Sequence, residues 1–159
     1  MNTPSLLKFL FEPRAIAFIG VSNNPAKWGF NIFHHIIKAG YAGNVYPVNP
    51  HGGTWFGKPV YKGLAELPRP IDLAIIVVPK ERVPDTLHEC IDVGIQSAVV
   101  ITAGFGETGV EGKALEQEVL SIARAGGIRL VGPNTMGIFS AYPSPLQALM
   151  TASEFKQGP

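Results

Sequence analysis

Residues 15–29 read Ala-Ile-Ala-Phe-Ile-Gly-Val-Ser-Asn-Asn-Pro-Ala-Lys-Trp-Gly, and this stretch decides the fold class. Its first five residues form an uninterrupted apolar run that ends at Gly20, which is typical of a parallel strand buried on both faces. A polar loop follows, and apolar residues then recur at the spacing of one helix face until Gly40. The stretch therefore predicts a strand, a loop and a helix, the opening of a βαβ unit.

The same alternation continues along the rest of the chain. Further short apolar runs, each of strand length, cover residues 44–48, 73–78, 97–101 and 129–131. Helix-spaced apolar residues fill 83–91 and 114–123, whereas residues 51–70 are rich in Gly and Pro and are expected to hold one short strand and one helical turn. This order predicts an α/β fold of the Rossmann-like, doubly wound class, with a mainly parallel sheet and helices on both faces.

Composition limits the domain count and the class of partner. A length of 159 residues suits one domain, and 46% hydrophobic residues can form a core. The net charge of +1 gives no reason to expect nucleic acid or a membrane as partner. The single cysteine, Cys90, excludes an internal disulfide and a Cys-x-x-Cys metal site. No signal-peptide pattern opens the chain and no apolar run approaches the ~20 residues of a membrane span, so a cytoplasmic location is expected.

The pattern changes character near the end of the sequence. After Ile138 the chain reads Ala-Tyr-Pro-Ser-Pro at 141–145 and then turns polar. We therefore expect residues 1–138 to form the domain and residues 139–159 to form a linker toward a following domain.

In a parallel sheet, ligands bind outside the carboxyl ends of the strands. The predicted strands end in five loops rich in Gly, Pro, Asn and Thr, at residues 20–29, 48–53, 78–82, 102–106 and 132–137. In the first loop, Gly20 and the polar residues before the helix can hold a phosphate through backbone N–H groups, with Lys27 as a cation. The alternative is that Ser22, Asn23 and Asn24 only cap the helix. We favour the phosphate site.

Three missing sequence features limit which nucleotide the site could bind. The fingerprint Gly-x-Gly-x-x-Gly is missing, since only Gly20 and Gly29 occur in the first loop. The second strand ends in Asn49-Pro50, where an NAD site needs an acidic residue for the ribose hydroxyls. Lys58 is followed by Pro59, so no Walker A loop forms there either. These residues disfavour NAD(P) and ATP.

Five ordered motifs now carry a family resemblance. They are PRAIAFIGVSNNP at 13–25, YPVNP at 46–50, DLAIIVVP at 72–79, TAGF at 102–105 and GPNTMG at 132–137. In this order they resemble the N-terminal CoA-binding domain of ADP-forming (NDP-forming) acyl-CoA synthetases, which are related to the succinyl-CoA synthetase α subunit. Thr135 departs from the pattern, because many relatives have Cys there, and this change is expected to alter local geometry only.

The resemblance implies that coenzyme A lies across the strand ends. Its phosphates would meet the first loop, its adenine side the second and third loops, and its pantetheine the fourth. The implied binding residues are, in that order, Gly20, Ser22, Asn23, Asn24, Pro25 and Lys27; Val48, Asn49, Pro50, Val78, Pro79 and Lys80; and Thr102 and Ala103. Lys27, His51, Lys80 and Arg82 are candidate cations, and each could equally be a solvated surface residue.

The resemblance also implies what this sequence does not carry. In the family, acyl-CoA forms through an acyl phosphate and a phosphorylated histidine of the next domain, and an ATP-grasp module with Mg binds ATP or ADP. His34, His35 and His88 fall on predicted helices away from the strand ends, and no cluster has metal-ligand spacing. We therefore predict no catalytic residue and no metal site here, and a chain that binds CoA but is inactive by itself.

Three functional hypotheses remain open from the sequence. The first is the CoA-binding domain of a multidomain ADP-forming acyl-CoA ligase, and the second is a CoA-sensing regulatory domain of a fused protein acetyltransferase. The third is an NAD(P)-binding Rossmann domain.

Overall fold

The computed structural model describes residues 3–141 and 145–150, with side chains described from residue 7 onward. Within these residues the strands are β1 (Ala15–Ile19), β2 (Asn44–Val48), β3 (Gly53–Trp55), β4 (Lys58–Val60), β5 (Leu73–Ile76), β6 (Ser97–Val100), β7 (Arg129–Val131), β8 (Gly137–Ser140) and β9 (Leu146–Leu149). The α-helices are α1 (Thr3–Phe11), α2 (Trp28–Lys38), α3 (Val83–Asp92) and α4 (Val110–Ala125). Short 3₁₀ turns cover Leu64–Glu66, Lys80–Arg82 and Gly106–Thr108.

The central sheet has five strands in the order β2-β1-β5-β6-β7, and each neighbouring pair is parallel. From β1 the chain passes to β2 on one side and later to β5 on the other, so the strand order reverses between β1 and β5. This is one of the two common orders of doubly wound sheets, and its reversal point is where ligands bind. The predicted fold class is confirmed.

Alternating side chains of the buried strands supply two cores, one on each face of the sheet. In β1, Ile16 and Phe18 pack on the face that α1 and α2 cover, whereas Ala17 and Ile19 pack on the face that α3 and α4 cover. All five residues of β1 are buried. Burial on both faces explains why the strand reads as a continuous apolar run and not as an alternation.

The amino ends of β1 and β5 are tied by a buried carboxylate. The Asp72 side chain accepts hydrogen bonds from the Arg14 backbone N–H (2.7 Å) and from the Arg14 Nε (3.4 Å). Nearby, the Tyr41 hydroxyl donates to the Pro13 carbonyl oxygen. Burial and the Asp72 carboxylate raise the pKa of Tyr41 above its usual range. At this edge the Asp72 carboxylate and the Tyr41 hydroxyl are therefore paired with other groups of the domain.

Residues 51–70 contain one strand more than the sequence predicts. Strands β3 and β4 form an antiparallel hairpin whose turn residues, Phe56 and Gly57, both have positive φ (46° and 72°). Two-residue turns of this kind match the twist of a hairpin. The sequence does not reveal this turn, because Phe56 precedes Gly57 where such turns usually have Asn or Asp.

The linker predicted for residues 139–159 requires correction over its first part. Strands β8 and β9 form an antiparallel hairpin, and Leu146 and Ala148 are fully buried in the core under α2. The His35 Nδ1 lies 3.0 Å from the Leu149 carbonyl oxygen, so Nδ1–H donates to it. The folded domain therefore continues past 138 to Leu149, and residues 151–159 lie outside the described part of the chain.

Two further features are the burial of the single cysteine and the character of the helices. Cys90 is fully buried on α3, and burial together with the neighbouring Glu89 raises the pKa of its thiol to about 12. Such a thiol is an inert core residue at neutral pH. Over residues 3–141 and 145–150, no helix has the length and apolar character to cross a membrane.

Candidate functional site

A cleft of about 1140 Å³ lies at the carboxyl edge of the sheet, around the point where the strand order reverses. Each of the five loops predicted to reach this edge contributes to its wall. Representative lining residues are Gly20, Asn49, Val78, Thr102 and Asn134, one from each loop. The volume exceeds the usual range of small-molecule pockets and suits an extended ligand.

Most of the binding residues that the sequence predicts are brought together here. Eleven of the fourteen line the cleft, namely Gly20, Ser22, Asn23, Lys27, Val48, Asn49, Pro50, Val78, Pro79, Thr102 and Ala103. Because they come from four separate loops, only the tertiary fold can place them around one space.

Asn24, Pro25 and Lys80 are the three that do not line the cleft. The Asn24 side chain accepts a hydrogen bond from the Ala26 N–H (2.9 Å), and the Pro25 carbonyl oxygen accepts one from the Asn31 side chain (3.0 Å). The stem of Lys80 lies over Gly104, where an added Cβ would come within 2.7 Å of the Lys80 Cδ. These contacts stabilise the loops themselves.

The first loop thus supports both interpretations weighed for it. Asn24 forms the local turn that precedes α2, in keeping with the capping alternative. However, the cap residue of α2 is Lys27, and its side chain makes no capping hydrogen bond. The start of α2 therefore presents its positive dipole end and a lysine to the cleft, an arrangement that attracts an anion.

Two glycines allow this loop to pack. Gly20 has φ of +96°, and a Cβ on it would lie 2.3 Å from the Val77 carbonyl oxygen at the end of β5. A Cβ on Gly29 would lie 2.1 Å from the Gly20 carbonyl oxygen. The loop is therefore pressed between β5 and α2, and any larger residue at either position must displace backbone.

Asn49 joins the first two loops. Its Nδ2 donates to the Val21 carbonyl oxygen (2.8 Å), and its Oδ1 accepts from the His51 N–H (2.9 Å). The side chain at the end of β2 is thus engaged with backbone groups. An acidic residue in an NAD site would instead keep its oxygens for the ribose.

The loops after β5, β6 and β7 are tied in a similar way. The Thr102 hydroxyl donates to the Val78 carbonyl oxygen (2.6 Å), and the Asn134 N–H donates to the Thr102 carbonyl oxygen (2.9 Å). The Glu107 carboxylate accepts from the Gly104 N–H (2.6 Å). This hydrogen bond, with further ones from backbone N–H groups and from the Asn134 side chain, lowers the pKa of Glu107.

Three positive side chains and one carboxylate, that of Glu89 on α3, line the cleft. Lys27, Lys62 and Arg82 line it together with His51, and none of the three cations forms an ion pair within the described residues. Sequence reasoning missed Lys62, because β4 lies outside the main sheet. The contact that brings it in is a parallel bridge between Val48 and Tyr61, the residue before Lys62.

Both tryptophans of the chain also line the cleft. Trp28 opens α2 and is 50% exposed, whereas Trp55 on β3 packs partly against the core under α2. The sequence gives no signal for either position, since an aromatic residue on a helix or strand is usually a core residue.

The positions of the histidines determine whether one of them could act on a ligand in the cleft. His34 and His35 lie on α2 and His88 on α3, as the sequence predicts, and none of them lines the cleft. In the part of the chain that the structure describes, no group of three or more His, Cys, Asp or Glu side chains could hold a metal ion.

Comparison with known proteins identifies the family. Residues 14–141 match the family described as CoA binding domain. The chain is 44% identical over 149 residues to the acetate–CoA ligase [ADP-forming] II subunit alpha of Pyrococcus furiosus, covering 94% of this chain and 32% of that subunit. It is 41% identical to the corresponding subunit of ligase I from the same organism, covering 96% of this chain and 34% of that subunit.

A solved structure agrees with this assignment. The dinucleotide forming acetyl-coenzyme A synthetase 1 of Ca. Korarchaeum cryptofilum, in complex with phosphate and ADP, superposes with a TM-score of 0.88 at 35% identity. The match covers 96% of this chain and 32% of that one, so the chain spans about a third of the length of these relatives. The resemblance found in the five strand-end motifs is confirmed, and the chain belongs to the CoA-binding domain family.

Proposed function

We propose that this chain binds coenzyme A across the carboxyl edge of its sheet, as the CoA-binding domain of a multidomain ADP-forming acyl-CoA synthetase. The observation that carries the proposal is one cleft that all five strand-end loops line, with three cations that have no carboxylate partner among the described residues. CoA carries a pyrophosphate and a ribose 3′-phosphate, so it needs several positive groups spread along an extended groove.

The strand order supports one orientation of the ligand. The loop after β1, with Gly20 and Lys27, suits the pyrophosphate. Thr102 and Ala103 follow β6, two strands further along the sheet, and suit the pantetheine arm. The 3′-phosphoadenosine then lies toward β2, near Asn49 and Pro50. Adjacent strands are ~4.8 Å apart, so these sites span roughly 15 Å along the edge of the sheet.

The activity of the whole protein is part of the proposal. An acyl-CoA synthetase of this kind would use ATP or ADP with Mg, an acyl phosphate and a phosphohistidine, all on an ATP-grasp module and a histidine-bearing domain elsewhere in the protein or its partner subunit. The relatives, which are ADP-forming acetate–CoA ligases, support this assignment. We name no catalytic residue in this chain and predict that it binds CoA without turnover. The cytoplasmic location remains a prediction.

The two alternatives differ in their support. A regulatory domain of a protein acetyltransferase would bind the same ligand in the same cleft, so only the rest of the whole protein separates it from the ligase. An NAD(P) site is disfavoured by the engaged side chain of Asn49 and by the family match.

Calorimetric titration of the 159-residue chain tests the proposal. We expect CoA to bind at least about tenfold more tightly than NADH, since a phosphate-rich ligand gains charge-assisted hydrogen bonds. Lys27→Ala should weaken CoA by about tenfold and leave pantetheine unchanged, because only CoA brings phosphates to the first loop.

Lys113→Ala, which removes an exposed cation from α4 outside the cleft, is the matched control and should leave both ligands unchanged. Tighter binding of NADH than of CoA would refute the proposed function. Equal losses of CoA and pantetheine in Lys27→Ala would remove the phosphate role of the first loop.

A further inference from the structure

Lys62 lies on the β2 side of the cleft. It follows β4, which is not a strand of the main sheet, so the expectation that ligands bind at the ends of the main strands does not predict it. Tyr61, the residue before Lys62, pairs with Val48 and accepts a hydrogen bond from the Asn49 N–H (2.9 Å). The bridge places Lys62 beside the turn that ends β2. Lys62 and His51 both line the cleft.

The turn under Lys62 is fixed by its own hydrogen bonds. The Asn49 side chain accepts from the His51 N–H (2.9 Å), and the Asn49 carbonyl oxygen accepts from the Gly52 N–H (2.9 Å). The Lys62 stem crosses this turn, since a Cβ on Gly52 would come within 3.2 Å of the Lys62 Cε. The packing directs the lysine along the turn toward the cleft.

The charge of Lys62 is available to a ligand. Glu66 is the carboxylate nearest to it in the chain, and its Oε2 accepts from the Lys62 backbone N–H (3.0 Å). The Lys62 ammonium makes no ion pair across residues 3–141 and 145–150. An ammonium group on a flexible stem acts as a point charge that can meet a phosphate from several directions.

The position of this cation matches one part of the proposed ligand. If the pyrophosphate lies over the loop after β1 and the pantetheine runs toward β6, the remaining anionic group lies on the β2 side. Strands β1 and β2 are neighbours, ~4.8 Å apart, so a ribose joined to that pyrophosphate reaches the turn of His51. The only anion that CoA has left to place there is its 3′-phosphate.

We infer that Lys62, seated on the turn that carries His51, binds the ribose 3′-phosphate and makes this chain select CoA over dephospho-CoA. The inference rests on the proposed function and assigns a specificity residue within that same site. Lys62 and Lys27 then divide the phosphates of the ligand between them, one on each side of β1.

Titrations with CoA and dephospho-CoA, which differ only in the 3′-phosphate, test this assignment on the full chain. The wild type should bind CoA about tenfold more tightly than dephospho-CoA, as expected when a hydrogen bond to a charged group is gained. Lys62→Ala should weaken CoA by about tenfold and leave dephospho-CoA unchanged, so that the preference disappears. Lys62→Arg should restore most of the preference, and Lys113→Ala should keep all of it.

The failures of the two proposals are separable. If the wild type binds neither ligand, the proposed function fails and this inference with it. If the wild type binds both equally, or if Lys62→Ala weakens both equally, CoA binding stands and the assignment of the 3′-phosphate to Lys62 is overturned. A circular dichroism spectrum and a melting temperature unchanged from wild type show that the variant is folded.

Discussion

The two edges of the sheet treat charge differently. At the amino edge the buried Asp72 carboxylate is hydrogen-bonded to Arg14. At the carboxyl edge Lys27, Lys62 and Arg82 line a cleft, and none of these three cations has a carboxylate partner among the described residues. The same five parallel strands begin at the amino edge and end at the carboxyl edge. Internal pairing at one edge stabilises the fold, and unpaired charge with glycine-lined backbone at the other leaves interactions for a ligand. The comparison predicts that mutations at the carboxyl edge change affinity and that mutations at the amino edge change stability.

The largest effect should come from Gly20→Ala at the carboxyl edge. The added Cβ meets the Val77 carbonyl oxygen, and the left-handed backbone is itself unfavourable for alanine, so the variant should lose about 2–3 kcal/mol of unfolding free energy. Displacement of the loop should also weaken CoA by about 30-fold, the equivalent of roughly 2 kcal/mol. Denaturant unfolding and calorimetry measure the two losses.

Gly53→Ala is the matched control for that variant. Gly53 also has positive φ, at +107°, but an added Cβ meets nothing within 4 Å, and the residue does not line the cleft. It should show the backbone cost alone and bind CoA normally. If both variants bind CoA equally well, the close packing of the first loop is not needed for the ligand.

Asp72→Ala should give the next largest effect, on stability alone. It leaves the Arg14 backbone N–H without its acceptor and should cost about 1–3 kcal/mol of unfolding free energy. CoA affinity of the folded fraction should stay within twofold, because Asp72 lies at the opposite edge. Glu12→Ala, which removes an exposed ion pair between the residue after α1 and Lys8, is the control and should cost about 0–0.5 kcal/mol. A tenfold loss of CoA affinity in Asp72→Ala would break the comparison.

The smallest effect should come from Glu107→Gln, which tests whether this carboxylate stabilises the loop after β6 at the carboxyl edge. Backbone N–H groups, first that of Gly104, lower the pKa of Glu107 below its ordinary value of 4.5. A lowered folded-state pKa means that the carboxylate stabilises the folded chain above pH 4.5 and that this contribution is lost as the pH falls through the folded-state pKa.

The measurement is the melting temperature of wild type and Glu107→Gln between pH 3 and pH 7. The wild type should lose more of its melting temperature than the variant does on acidification. Parallel curves would show that the carboxylate does not stabilise the loop after β6.

The sheet and its binding edge could be predicted because their signals are local. A strand buried on both faces needs a continuous apolar run, as at Ala15–Ile19, and such a strand ends where glycine and polar residues begin. The order of five such ends along the chain indicates which loops share an edge, but not which side chains reach the cleft.

The parts that the sequence did not predict depend on distant contacts. Strand β9 is short and follows two prolines, and it is held by burial of Leu146 and Ala148 under α2 and by the hydrogen bond from His35. Lys62 enters the site through the bridge between Tyr61 and Val48. Asn24 and Lys80 have polar groups that could contact a ligand. However, the Asn24 side chain accepts a hydrogen bond from the Ala26 N–H, and the Lys80 stem packs over Gly104.

The two indoles of Trp28 and Trp55 give the chain an intrinsic optical signal at its cleft. Because these are the only tryptophans among the 159 residues, light emitted on excitation near 295 nm originates entirely from the walls of that space. Ligands can therefore be screened on the unlabelled protein, and Trp28→Phe and Trp55→Phe divide the emission between the half-exposed rim and the partly buried hairpin.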